Sequence, residues 1–228
     1  MLLCVPAAEV GRHIGQGRKR HSCACSQAAP KYQAMLPQGD RMHAIDELGA
    51  LILNGGASTR MGADKGGLDW WGRSALQRCR STTAAVGADP ILVVGPGGEV
   101  EDPQLGPVGG VLAGAAALRA LGIHRALILA VDAPTIEVKD LVPLLSAGDP
   151  GAAFEGLHLP MVIALDALAE DAQCGWPLAR LAERAGLRRL APAPEARERL
   201  RGANTPVERE RLLQAPAAPD AAWERRPR

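Results

Sequence analysis

The chain has 228 residues, 47% of them hydrophobic, which is enough for a substantial core, and one domain with loose ends is expected. Its 26 Lys and Arg nearly balance 25 Asp and Glu, leaving a formal charge of +1; no global field draws nucleic acid or an anionic membrane surface, so any anion site must be local. Five cysteines, Cys4, Cys23, Cys25, Cys79 and Cys174, form no CxxC pair, which argues against a disulfide framework or zinc knuckle and fits a cytoplasmic protein.

Residues 1–45 show neither helical nor strand period and are expected to be a disordered extension. The opening apolar run lacks a basic n-region, so no secretory signal is expected, and no apolar stretch reaches the ~18 residues of a membrane span. His21, Cys23 and Cys25 lack a fourth ligand and are not read as a metal site.

From Leu48 the pattern changes. "ALILN" (50–54), "PILVVG" (90–95) and "RALILAVD" (125–132) are short apolar runs of the kind expected from strands buried on both faces. Between them, 74–86 and 111–121 read as helices, and strand alternating with helix implies a parallel sheet with right-handed crossovers. Further on, "LVPLLSA" (141–147) reads as a helix and "LPMVIAL" (159–165) as a strand. "LARLAERAG" (178–186) and "VERERLLQ" (207–214) read as amphipathic helices, and residues 215–228 as a flexible tail.

The first strand runs into "LNGGASTRMGADKGG" (53–67). In an open parallel sheet, ligands sit at the carboxyl ends of the strands where strand order reverses. Gly55 and Gly56 let the backbone approach a ligand and offer N–H groups to anionic oxygens, while Arg60 and Lys65 add a planar fork and a mobile point charge. A polyphosphate suits this set; the alternative is a glycine-rich turn whose cations face water. Neither GxxxxGK[ST] nor GxGxxG is present in the loop.

Asp132, in "AVDAP" (130–134), stands at the carboxyl end of the third apolar strand and is the best candidate ligand for the Mg²⁺ that triphosphate chemistry requires, with a helix cap as the alternative. "EDPQLGPVGGVLAG" (101–114) is a second glycine-bearing loop that opens a helix. There Asp102 can accept from a sugar hydroxyl or a guanine N–H edge, unless the loop is merely tight.

"LNGGASTRMGADKGGL", "DPQLGPVGGV", "VDAP" and "NTP" (204–206) occur in the order and spacing of molybdenum cofactor guanylyltransferases, and the chain resembles that family over about residues 48–214. The resemblance implies a nucleotidyltransferase domain over 46–214. Its fold would be three-layer α/β/α with a mostly parallel sheet, the Rossmann-like fold of nucleotide-diphospho-sugar transferases. It implies GTP as substrate, molybdopterin (molybdenum cofactor) as acceptor and Mg²⁺ as the metal. Partner proteins would deliver the pterin or act as chaperones of the molybdoenzyme, with no nucleic acid or membrane involved.

Carried over by residue, the resemblance makes Leu53, Asn54 and Gly55 backbone contacts to the nucleotide, Lys65 a phosphate contact, Asp102 a GTP contact and Asp132 the shared Mg²⁺ ligand. Gly56, Ser58 and Gly106 belong to the same nucleotide-binding loops, and Asn204 is expected to close the site near the metal or the pterin product. Arg60 is assigned to the triphosphate on chemical grounds. Two departures matter: Asn54 replaces the usual alanine, and "VVGPGG" lacks an asparagine that the family often places after the second strand. Other readings are a cytidylyl- or sugar-phosphate-type nucleotidyltransferase, a catalytically silent nucleotide binder, and a partner-binding module using the basic N-terminal segment or the Trp70–Trp71 pair. The arginine-rich stretch 180–202, with its interleaved glutamates, reads as a solvated, ion-paired helix face.

Overall fold

The computed structural model describes residues 48–55 and 65–214. In chain order it forms β1 (Leu48–Leu53), a hairpin of β2 (Asp69–Trp70) and β3 (Arg73–Ser74), α1 (Ala75–Ala85), β4 (Ile91–Val94), α2 (Pro107–Ala120) and β5 (Arg125–Ala130). Then follow α3 (Val138–Leu145), β6 (Gly151–Phe154), β7 (Met161–Ala164), α4 (Leu178–Arg184), β8 (Arg188–Leu190), α5 (Arg197–Arg201) and α6 (Pro206–Leu213). Six strands make one sheet in the order β4-β1-β5-β7-β6-β8. β1 pairs in parallel with both β4 and β5, β6 with β8 likewise, and β7 alone runs antiparallel to its neighbours.

β1 shows how the layers arise. Its side chains alternate between faces: Leu51 points into a core with Val111, Ala115 and Leu118 of α2 and Leu181 of α4. Ala50 joins the opposite core with Leu141 and Leu144 of α3, and Ile52 lies nearby with Ala75 and Cys79 of α1. Helices therefore cover both faces, which is the expected three-layer α/β/α, Rossmann-like arrangement. Helix starts follow local chemistry. Ser74 caps α1 in a reciprocal box with Gln77, and Pro107 sits in the first turn of α2, four residues earlier than the helix read from the apolar pattern.

The structure also corrects the reading. The hairpin, β6, β8 and α5 were not anticipated. The arginine-rich stretch is not one helix face: α4 stops before Gly186 (φ 68°), β8 joins the sheet edge, and Pro192 and Pro194 precede α5. Its glutamates do form ion pairs, as with Arg211 and Glu198, but Arg199 pairs with Asp140 of α3 across a long loop. The tryptophan pair packs: Trp70 is buried, Trp71 is tilted on it at 5.8 Å, and the Arg78 guanidinium lies 4.7 Å over the Trp71 ring. Among the described residues, no helix is long and apolar enough to cross a membrane.

Candidate active site

The chain leaves β1 for β4 on one side and returns through α2 to β5 on the other, so the carboxyl ends of β1 and β5 border the point where strand order reverses. Both ends are held by backbone hydrogen bonds: Asn54 N donates to Val94 O (2.8 Å), and Val131 N donates to Leu53 O (3.1 Å). Leu53, Asn54 and Gly55 thus leave the sheet in a fixed direction.

Gly55 abuts the Asp102 carboxylate, and a Cβ added to it would overlap Asp102 Oδ2. Only glycine lets these two segments meet so closely. Asp102 Oδ1 in turn accepts from Gln104 N at 2.9 Å, shaping the turn that leads to Gly106 at the α2 N-cap.

Lys65 opens a short 3-10 turn, Lys65–Gly67, whose Gly66 packs on the Asn54 side chain; a Cβ there would sit 2.5 Å from Asn54 Oδ1. The Lys65 ammonium lies 3.3 Å from Asp132 Oδ2 and 3.1 Å from Asn204 Oδ1. Asp132 and Asn204 lie 67 and 139 positions from Lys65 in the chain, yet the polar ends of all three converge. The Lys65 and Asp132 side chains are each 23% exposed, so the pair is reachable from solvent.

Asn204 is presented by α6. Thr205 and Glu208 form a reciprocal capping box, and Glu208 Oε2 also accepts from Asn204 N at 2.8 Å. That N–H bond, with help from Thr205 and Arg201, holds the Glu208 carboxyl below its ordinary range. Beneath Asp132, the buried Cys79 Sγ faces the carbonyls of Ala130 and Val131. Burial, reinforced by the Asp132 charge, pushes its thiol up to about 12, so it stays protonated and is no nucleophile at neutral pH.

Of the sequence-predicted site residues, Lys65, Asp132 and Asn204 stand together, Gly55 touches Asp102, and Asn54 links the two groups. Leu53 lies at the strand exit and Gly106 on the Asp102 side. Gly56, Ser58 and Arg60 lie outside the described residues. Sequence reading missed Glu208, though Thr205-Pro206-Val207-Glu208 is a legible capping-box pattern. It also missed Asp140 and Arg199, for which no local pattern exists.

A glycine exit from a central parallel strand, with a lysine–carboxylate pair at the end of the neighbouring parallel strand, is an arrangement suited to a nucleotide-handling α/β enzyme. Residues 50–200 match the family described as MobA-like NTP transferase domain. The chain is 36% identical over 131 residues, 54% of its own length and 67% of the relative's, to a molybdenum cofactor guanylyltransferase of Xanthomonas euvesicatoria pv. vesicatoria (strain 85-10). The chain belongs to this family of nucleotidyltransferases, and the reaction class is transfer of a nucleotidyl group from a nucleoside triphosphate to a phosphorylated acceptor.

Solved structures agree on the fold. A nucleotidyl transferase from Methanothermobacter thermautotroptrophicus superposes with TM-score 0.55 at 16% identity, over 74% of this chain and 99% of that one. A 4-diphosphocytidyl-2C-methyl-D-erythritol synthase gives 0.52 at 15% identity, over 74% and 100%.

Proposed function

We propose that the protein transfers GMP from GTP to the terminal phosphate of molybdenum-bearing molybdopterin, releasing pyrophosphate. The observation that carries this reading is the convergence of Lys65, Asp132 and Asn204 at the ends of β1 and β5. The base and the acceptor rest on the resemblance of the loop motifs and on the guanylyltransferase relative.

The acceptor phosphate oxygen bonds to the α-phosphorus of GTP, and the bond from that phosphorus to the bridging oxygen of pyrophosphate breaks. The incoming phosphate is already an anion, so no protein nucleophile is required. This chain contributes alignment and charge neutralisation. Lys65, joined by Arg60 of the same loop, neutralises phosphate oxygens. Gly55 gives the nucleotide close access to the backbone, and Asp102 accepts from a nucleotide hydroxyl or N–H.

The residues fit Mg²⁺. Asp132 and Asn204 already aim hard oxygen atoms at one cation, the Lys65 ammonium. Mg²⁺ commonly takes one or two protein carboxylates and fills its shell with phosphate and water. Asp132 would hold it with Asn204 alongside, and when bound it would supply positive charge to the triphosphate.

The test is incubation with molybdopterin, Mg²⁺ and each nucleoside triphosphate in turn, followed by mass analysis. A guanine dinucleotide with pyrophosphate release is expected. A cytosine dinucleotide, or no dinucleotide from any triphosphate, overturns the assignment.

A further inference from the structure

Two connections meet at the Asp132 side of the site. One runs from β5 into the first turn of α3 and carries Asp132, Thr135 and, within α3, Asp140; the other runs through α5 to α6 and carries Arg199, within α5, and Asn204. Three contacts zip them together. Arg199 makes a forked ion pair with Asp140, Nε to Oδ2 at 2.8 Å and the second arm to Oδ1 at 2.6 Å. Thr135 Oγ1 donates to the Arg199 carbonyl at 3.2 Å. Ala203 N donates to the Asp132 carbonyl at 2.9 Å.

The path is tight. Gly202, at φ 68°, approaches the Asp132 carbonyl so closely that a Cβ would overlap it. Two residues later Asn204 delivers its amide oxygen to Lys65. The Asp140 side chain is 2% exposed, so its charge is committed to this bridge, and its Oδ2 also accepts from Glu137 N at 3.0 Å. A planar, two-pronged pair fixes orientation as well as distance, which a single-point contact does not.

We propose that the Arg199–Asp140 pair is a positioning device for the transfer reaction: by clamping α5, and the connection that follows it, onto the first turn of α3, it sets Asn204 against Lys65 and Asp132. The contacts of the pair run to the segment that carries Asn204, whereas Gly55 meets Asp102, so the pair tunes turnover rather than nucleotide binding. This rests on the proposed function, since turnover is read with GTP.

Removing Arg199 alone strands a buried carboxylate and can unfold the protein, so the test variant neutralises both partners, Arg199→Met with Asp140→Asn. The expected result is a thermal midpoint within about 5 °C of the wild type, kcat lowered about tenfold, and KM for GTP within about twofold. Asn204→Ala should show the same split, and the triple variant should turn over no more slowly than Asn204→Ala alone. The ¹⁵N-labelled protein supplies a readout that needs no substrate: the side-chain amide resonance of Asn204 should shift in the double variant. Multiplicative losses in kcat, an unchanged kcat, or an unmoved Asn204 amide would each overturn the proposal. Failure of the wild type to use GTP would strike the proposed function instead, with the amide shift still deciding the positioning role.

Discussion

The two halves of the sheet divide their work unequally. β4, β1 and β5 are parallel, and the ends of β1 and β5 carry Asn54, Gly55 and Asp132. β7, β6 and β8 have three or four residues each and contain none of the candidate site residues. The difference is one of connectivity. Only in the first half do crossovers leave a strand in opposite directions and open a crevice for a ligand, whereas the second half buttresses it, with Met161 and Ile163 completing the core under α2 and α4. Chemistry and stability should therefore separate under mutation.

The sharpest test of that separation is Asp132→Asn. It should lower kcat on the order of 10³-fold in a pyrophosphate-release assay while leaving the folded fraction intact, and a loss under tenfold would blur the contrast. Met161→Ala, at a fully buried site in β7, should do the opposite: about 3 kcal/mol lost in urea unfolding, with KM for GTP unchanged. Gly55→Ala should push the Asp102 carboxylate aside and weaken nucleotide binding about tenfold, about 1.4 kcal/mol by titration, with little change in melting temperature.

The smallest effect concerns Cys79, whose folded-state value is pushed up to about 12 by burial. The unfolded thiol ionises near ~8.5, so the folded state holds the extra proton between these values, and stability is intact below the lower one and declines as pH rises. By pH 10 the loss should be about 2 kcal/mol relative to neutral pH, and Cys79→Ala should remove that slope.

The first half was legible because a strand buried on both faces must be apolar throughout: "ALILN", "PILVVG" and "RALILAVD" each mark a strand to within a residue or two. The second half showed β7 in "LPMVIAL" but hid its other two strands. "GAAF" is small and short, and "RRL" is an edge strand whose arginines face solvent, so neither carries a usable period. The hairpin was equally opaque, since its strands have two residues each and its turn places Trp71 at φ 53° beside Gly72.

At the site, residues embedded in motifs, such as Lys65, Asp102, Asp132 and Asn204, could be named in advance. What joins them could not. Arg199 and Asp140 lie 59 positions apart, and an ion pair made where α5 meets α3 leaves no trace in local sequence.

The pairing of Lys65 with Asp132 and Asn204 has a consequence for how the enzyme fills. Because the Asp132 carboxylate already faces the Lys65 ammonium, a lone divalent ion would have to displace like charge without compensation. On the proposed function, a nucleotide arriving with its own metal would remove the conflict: Asp132 and Asn204 would hold the ion in place of the ammonium, and Lys65 would pair with the phosphates. Electroneutrality would thus favour entry of the metal–nucleotide complex, and calorimetric titration should find magnesium affinity rising sharply once nucleotide is present.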